Sequence, residues 1–264
     1  MAGARPGGRL SGRVDPRRVQ AALVCMHLDP GYAAAVRGDG PLPELGPRER
    51  ELLRAVDPRA LAVDPYRRAR AVHALLEEYP AAAALLGVPA IDGFFSTQNF
   101  RTCVFEHGSM ALSFGTWLGD QAGGPGRIEA AIARARRPQA GAASGLACNP
   151  CVAPLLVPAG SLACLERIRA RLGPDPATAL ATASPARERP PRGPKQEALL
   201  VEAGPGGEVS LGTASEPLVR LLLFAAAGQP HAALAAEAVR LGAEPHEADD
   251  LLAGLVADGL LVPG

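Results

Sequence analysis

Proline and glycine are so frequent in this chain that its helices and strands have to be short. Its 264 residues include 26 prolines and 30 glycines. Proline clashes inside a helix, but it fits the first helical turn directly after a capping residue. Asp15-Pro16, Gly46-Pro47 and Asp64-Pro65 all have this arrangement. The sequence therefore predicts a series of short helices, several of them opened by a cap and a proline.

The first half of the chain has the apolar spacing of helices. Val19, Leu23 and Met26 form one helical row, and similar rows recur without any alternating strand pattern. We therefore predict a helical domain over residues 14–137. Residues 1–13 are rich in glycine and arginine, and we interpret them as a flexible basic tail.

The composition changes after Pro138. An apolar run at residues 152–157 is typical of a strand, and residues 161–172 have the pattern of a helix. A proline- and arginine-rich segment follows at 185–195, which is typical of an extended linker. We interpret residues 138–195 as a connector.

The last 69 residues read as a small module of their own. Two strand-like runs, EALLVEA and VSLG, flank the turn sequence GPGGE and predict a hairpin. Three helices and a short final strand follow, at about 214–227, 230–241, 245–258 and 260–262. The predicted fold class is mainly α with a small α+β C-terminal part, in which residues 196–264 form a winged-helix-like domain.

Charge is divided unevenly between these parts. Residues 1–195 contain 25 Lys and Arg against 17 Asp and Glu, a balance of +8, whereas residues 196–264 contain 2 against 10, a balance of −8. A winged helix that binds DNA needs basic residues to neutralise phosphates, so this balance disfavours nucleic acid as a partner. A winged-helix transcriptional regulator remains the alternative function.

Strand addition is a second use of such a fold. An extended peptide pairs with an open sheet edge while its side chains enter the neighbouring groove. A sheet of two or three strands must leave an edge free, which favours this use. The module could instead serve only as a domain cap or a dimer element.

The pair Cys148 and Cys151 is the one motif that suggests chemistry. A CxxC can bind zinc or cycle as a dithiol, but only Cys164 lies nearby as a further ligand. We leave a redox or metal role open beside simple packing of small residues. The chain has no GxSxG, Walker loop, HExxH or post-strand GxGxxG, so we expect no catalytic residue, no cofactor and no metal.

Composition also bears on location. No apolar run approaches the 18 residues of a membrane span, and the N-terminus lacks the apolar region of a secretory signal. Five cysteines, an odd number, are typical of a reducing compartment. We expect a cytoplasmic protein with no membrane partner.

The C-terminal module resembles a known family. EALLVEAGPGGEVSLGTASEPLVRLLLFAAAGQP, with the closing LLAGLVADGLLVPG, is similar to the PqqD-like recognition domains of ribosomal peptide natural-product pathways. Those domains bind the leader of a precursor peptide. The resemblance implies that the leader lies along the second strand and packs against the third helix. The implied peptide-binding residues are Val209, Ser210, Leu211, Ala248, Leu251, Leu252 and Leu255.

The helical half has a resemblance of its own. DPYRRARAVHALLEEYPAAAALLG and FFSTQNFRTCVFEHGSMALSFGTWLGD resemble the helical partner proteins of multinuclear non-heme iron-dependent oxidative enzymes. Such a partner holds the precursor and docks on the iron enzyme, which carries out the chemistry. The resemblance implies partner-docking roles for Phe94, Phe95, Arg101 and Trp117.

Together the two resemblances imply a non-catalytic accessory protein that binds a precursor peptide and forms a heterodimer with an iron-dependent modifying enzyme. An acidic recognition module favours a leader with basic residues, so its affinity should fall with salt. The basic helical half is suited to an acidic partner surface.

Overall fold

A computed structural model describes residues 14–62, 64, 66–138, 144–182 and 188–264. The predicted tail at 1–13 lies outside the described residues. Parts of the predicted connector, at 139–143 and 183–187, lie outside them as well.

The described chain is mainly helical, with a small antiparallel sheet part. Its α-helices are α1 (Pro16–Leu28), α2 (Pro30–Arg37), α3 (Pro47–Arg54), α4 (Tyr66–Glu78), α5 (Pro80–Leu86), α6 (Val88–Gly93), α7 (Gln98–Phe105), α8 (Met110–Leu118), α9 (Gly123–Ala135), α10 (Ser161–Leu172), α11 (Pro176–Thr182), α12 (Glu216–Phe224), α13 (His231–Arg240) and α14 (Ala248–Ala257). Its strands are β1 (Leu146–Cys148), β2 (Val152–Pro158), β3 (Gln196–Ala203), β4 (Val209–Thr213) and β5 (Leu261–Pro263). None of these described helices exceeds 13 residues, as the proline and glycine punctuation predicts.

Capping residues open the first helices in the predicted manner. The Asp15 carboxylate accepts the Arg17 N–H at 2.9 Å, with Pro16 as the first residue of α1. Asp29 repeats the arrangement for α2 by accepting the Gly31 N–H at 2.9 Å. A carboxylate at this position satisfies N–H groups that the helix itself leaves without acceptors.

The chain divides into two compact units, which are described separately. The first comprises Met1–Leu75 with Pro89–Trp117, and the second comprises Leu76–Val88 with Leu118–Gly264. The predicted connector and the predicted C-terminal domain thus belong to one unit. The physical reason is strand pairing across their predicted border, since β2 bonds to β3 along its length.

An aromatic cluster forms the core of the first unit. Phe94 stacks edge-to-face on Phe95, Phe100 and Phe114, with ring centroids 5.2–5.7 Å apart. Trp117 completes the cluster at 5.6 Å from Phe94. Phe94 and Phe95 have no exposed surface. These rings therefore supply the apolar burial that a short-helix domain needs.

Arg68 joins three segments around this core. Its guanidinium donates to both carboxylate oxygens of Asp92, at 2.6 and 2.9 Å, and to the Leu28 carbonyl at the end of α1. The same group lies 5.6 Å from the Phe95 ring centroid. A two-bond pair with a carboxylate sets both distance and orientation, so Arg68 aligns α1, α4 and α6.

Glu129 is a fully buried carboxylate in the second unit. It lies on α9 and accepts the N–H groups of Ala81 and Ala82, at 2.8 and 2.9 Å, in the first turn of α5. The guanidinium of Arg169 is 4.0 Å away. Burial raises the pKa of Glu129 to about 7, although the two N–H bonds and Arg169 oppose this shift.

Two small antiparallel sheets complete the second unit. One has the strand order β2-β3-β4, and the other pairs β1 with β5. The register places Leu155 opposite Leu199, and Val201 opposite Leu211. Helices α9 and α12 both pack against β2 and β3. The hairpin of β3 and β4 confirms the predicted one, but the final strand pairs with β1 from the predicted connector.

A leucine cluster joins the last three helices. Its fully buried or nearly buried members are Leu221, Leu222, Ala225, Leu234, Ala238, Leu252, Leu255 and Leu261. Leu200 of β3 and Leu146 of β1 pack against this cluster. The three helices therefore share one core with both sheets.

Glu129 gives the unfolding free energy a specific pH dependence. The folded-state pKa of about 7 lies above the ordinary value of 4.5, so the folded chain holds this proton more tightly. Stability from this group is fully present below about pH 4.5 and is lost as the pH rises to about 7, with a slope of up to about 1.4 kcal/mol per pH unit. We expect Glu129→Gln to flatten that slope in urea unfolding. Glu166→Gln, at an exposed position of α10, is the control, and equal slopes for both variants would contradict the assignment.

Candidate functional site

The hydrogen-bond direction of the central strand β3 decides which groups lie at the sheet edges. Gly204 N–H donates to the Glu208 carbonyl at 2.9 Å, and Ala214 N–H donates to the Ala198 carbonyl at 3.0 Å. In an antiparallel pair, residues exchange hydrogen bonds at every second position. Even-numbered residues of β3 therefore bond to β4. Its odd-numbered residues bond to β2, as the 2.9 Å bond from Ala203 N–H to the Cys151 carbonyl shows.

The outer edge of β4 is open. Because Ser210 and Gly212 direct their backbone groups to β3, the backbone N–H and C=O groups of Val209, Leu211 and Thr213 are directed outwards. Within the part of the chain that the structure describes, β4 pairs with β3 alone. Three outward residues thus present six main-chain hydrogen-bonding groups.

The opposite edge of the same sheet is blunted by proline. By the same alternation, Val152, Pro154, Leu156 and Pro158 direct their backbones away from β3. Two of these four positions have no N–H, and the Val152 N–H donates to the Asn149 carbonyl at 2.8 Å. Proline at outward positions is a common means of preventing a further strand from pairing.

The outer edge of β5 also has a proline at an outward position. Gly264 N–H donates to the Gly145 carbonyl at 2.8 Å, so Gly264 and Val262 face β1. Leu261 and Pro263 are then the outward residues of this strand. Pro263 lacks an N–H, and Leu261 is only 1 % exposed. Among the described strands, β4 therefore has the edge best suited to accept a guest strand.

Side chains around the open edge are of two kinds. Val209 and Leu211 are half-buried on one face of the sheet, whereas Ser210 and Gly212 are exposed on the other. The exposed Glu202 lies opposite Ser210. An extended guest would meet an apolar row on one face and an acidic, sparsely covered surface on the other.

The third helix of the module contributes less surface than the resemblance implies. Ala248, Leu252 and Leu255 are 3 %, 0 % and 7 % exposed, because they pack into the module's own core. Their predicted contact with a peptide is therefore corrected to a core role. Leu251, at 40 % exposure, is the member of the predicted set on α14 that a guest could touch. Val209, Ser210 and Leu211 lie on the open edge.

Two of the predicted docking residues are also corrected. Phe94 and Phe95 are inside the aromatic cluster, so neither can contact a partner. Trp117 is half-buried, and the Arg101 side chain is 28 % exposed. The remaining candidates for docking are therefore Arg101 and Trp117.

Arg101 already has an internal anion. Its Nε lies 3.9 Å from Oδ2 of the buried Asp29, and its guanidinium donates to the Ser96 carbonyl at 3.3 Å. The guanidinium carbon lies 5.7 Å from the Tyr32 ring centroid. These contacts hold one side of the guanidinium and leave only its outer part for a partner.

The CxxC forms a turn between β1 and β2. The Asn149 side chain donates to the Gly259 carbonyl at 2.7 Å and accepts the Cys151 N–H at 2.9 Å. Burial raises the pKa of Cys148 to about 11, which is opposite to the shift of a reactive thiol. No set of three or more His, Cys, Asp or Glu side chains in the described residues could hold a metal ion.

Asn149 and the edge prolines were missed by reasoning from the sequence. A proline at every second or fourth position of an apolar run is a signal of a blunted edge, and Pro154 and Pro158 have that spacing. Asn149 had no such signal, since its partner Gly259 is far away in the chain.

Paired proline substitutions test the hydrogen-bond alternation. Thr213 directs its N–H outwards and Ser210 directs its N–H to β3, and both side chains are exposed. We expect Ser210→Pro to lower the free energy of unfolding by about 1–3 kcal/mol more than Thr213→Pro, because it removes a ladder bond. Urea denaturation measures both values. Equal losses of unfolding free energy would mean that the backbone groups on the outer edge of β4 are not those of Val209, Leu211 and Thr213.

Thiol alkylation tests the CxxC. With a pKa of about 11, Cys148 in the folded chain should react with iodoacetamide about 100-fold more slowly at about pH 8 than in the unfolded chain. Mass spectrometry of the alkylated peptide over time measures this ratio. Rapid labelling of Cys148 in the folded protein would instead support a redox role.

No described helix is both long enough and apolar enough to cross a lipid bilayer. Comparison of the chain with family models, curated proteins and solved structures finds no match.

Proposed function

We propose that this chain is a non-catalytic accessory protein that binds a precursor peptide and delivers it to an iron-dependent peptide-modifying enzyme. The observation that carries the proposal is the open edge of β4, in a chain that places proline at outward positions of β2 and β5. An edge kept free of proline is suited to pair with a guest strand.

Main-chain pairing alone would give modest affinity. Each hydrogen bond contributes about 0.5–1.5 kcal/mol net, and the six outward groups of β4 must also offset the ordering of the guest. Side chains beside the edge therefore have to supply selectivity. Val209 and Leu211 are half-buried apolar side chains of the edge strand itself, and we propose that the exposed Leu251 of α14 adds a further apolar contact.

Charge favours a basic guest. Residues 196–264 have a balance of −8, and Glu202 and Glu208 lie in or beside the hairpin. Attraction between this surface and a basic leader should raise the association rate and weaken with salt. The same charge disfavours the alternative, a winged-helix regulator of transcription, because phosphates would be repelled.

The helical arrangement supports a PqqD-like, winged-helix-like assignment for the C-terminal part. A hairpin precedes three helices that share a leucine core, in the order that the resemblance implies. The final strand departs from a self-contained module, since it pairs with β1. We propose that residues 146–158 are an integral part of the recognition domain.

We propose that the first unit docks on the partner enzyme and so delivers the peptide to it. A scaffold that holds a peptide and also docks on an enzyme raises the local concentration of the peptide at the active site. Arg101 and Trp117 are the proposed docking residues. The chemistry would belong to the partner enzyme, and the location would be the cytoplasm.

Selection from a random peptide library tests the proposed binding. Peptides of about a dozen residues, long enough to cover β4, are displayed and selected against the full chain. We expect enriched peptides to bind wild type and to lose about 10-fold affinity for Leu211→Pro, since proline removes an outward N–H and leaves the guest carbonyl that it bonded without a donor. Leu211→Ala is the matched control, because it also loses the leucine side chain but keeps the N–H.

Several outcomes decide between the functions. Affinity that falls as salt rises is expected for a basic guest, and salt-independent binding would contradict the charge argument. No enrichment, or equal binding by the proline and alanine variants, would overturn strand addition at β4. A gel shift of duplex DNA by the chain at moderate salt would favour the transcriptional regulator. Turnover by the purified chain alone that is lost when Cys148→Ser and Cys151→Ser are combined would favour the CxxC alternative.

A further inference from the structure

We infer that Gly212 selects the guest peptide by leaving a notch for one bulky apolar side chain. This inference rests on the proposed function, because it requires a guest strand on β4. It adds the position and the chemistry of the side chain that the site would recognise.

The fold itself does not require glycine at position 212. At Gly145, by contrast, a Cβ atom would lie 2.2 Å from the Gln229 carbonyl oxygen, and φ is +88°. At Gly212 a Cβ atom would meet nothing within 4 Å, and the backbone is ordinary strand. Glycine inside a strand lowers stability, and it commonly marks a close approach by a ligand or another chain.

The surroundings of Gly212 define what would fit. Gly212 lies directly opposite Leu200, so both belong to the same face of the sheet. Leu200 is half-buried and packs against the leucine cluster of α12, α13 and α14. The empty space above Gly212 therefore has an apolar wall on the β3 side and is open on the side where a guest would lie.

The register of a guest strand brings one side chain to this space. We propose a guest that runs antiparallel to β4, in which bonding by the outward groups of Leu211 and Thr213 makes the guest residue opposite Gly212 a non-hydrogen-bonded partner. In an antiparallel pair, such partners have Cα atoms about 4.5 Å apart, and their side chains are close. A leucine, isoleucine or phenylalanine there would cover Gly212 and reach Leu200.

The neighbouring row adds a second preference. The guest residue two positions further along the strand would place its side chain beside Ser210 and the exposed Glu202, on the same face of the sheet. A basic residue suits that position. The predicted guest pattern is thus a bulky apolar residue and a Lys or Arg separated by one residue.

Size-swap measurements test the notch. The probes are the peptides enriched on wild type, each with alanine substituted in turn along its length. We expect one bulky apolar position whose alanine version binds wild type about 10-fold or more weakly. The bulky peptide should bind Gly212→Val with about 10-fold lower affinity than it binds wild type. Its alanine version should bind Gly212→Val at least as tightly as it binds wild type. Gly40→Val is the matched control, since it makes the same glycine-to-valine change at an exposed glycine of the first unit where a Cβ atom would also meet nothing within 4 Å, and it should keep the wild-type size preference.

Each result decides between the two proposals. If no peptide is enriched, or if Leu211→Pro binds as Leu211→Ala does, the proposed function fails and the notch with it. If binding depends on the outward N–H of Leu211 but Gly212→Val accepts the bulky peptide unchanged, only the notch is overturned. Equal loss of affinity for the bulky peptide in Gly212→Val and Gly40→Val would also overturn it.

Discussion

The two hydrogen-bond ladders of β3 are the constraint on which the proposed site depends. Because β3 bonds to β2 through its odd-numbered residues, it must bond to β4 through its even-numbered ones. That alternation directs the backbones of Val209, Leu211 and Thr213 outwards. A shift of one residue in either ladder would exchange both the outward groups and the side-chain faces. Register therefore decides which backbone groups β4 presents at its open edge, and the pairing of β2 with β3 contributes to that choice as the pairing of β4 does.

Polar contacts between segments, one of them fully buried, align helices that are too short to be stable alone. Isolated helices of 6–13 residues are marginal in water, so tertiary contacts have to supply their stability. Glu129 joins α9 to the first turn of α5, and Arg68 joins α1, α4 and α6. Each contact has more than one partner, and for the fully buried Glu129 these partners offset part of the cost of removing charge from water.

Sequence reasoning was strongest where structure depends on neighbouring residues. The sequence predicted the helix starts at Pro16 and Pro47, a strand at 152–157 and the hairpin of β3 and β4, since capping, proline geometry and strand alternation act over a few positions. It was weakest at predicting which apolar residues are buried. Phe94, Phe95, Leu252 and Leu255 are apolar in any reading, and only the packing of other segments around them places them inside the core.

By itself, the sequence determined the mainly helical class, the short elements and the acidic balance of residues 196–264, because these follow from composition and local geometry. Tertiary structure alone decided that β1 and β2 belong with the C-terminal strands, that prolines 154, 158 and 263 lie on outward positions, and that β4 keeps an open edge. Strand pairing joins residues tens of positions apart. Its partner and register are set by which packing buries the most apolar surface, and no local pattern encodes that choice.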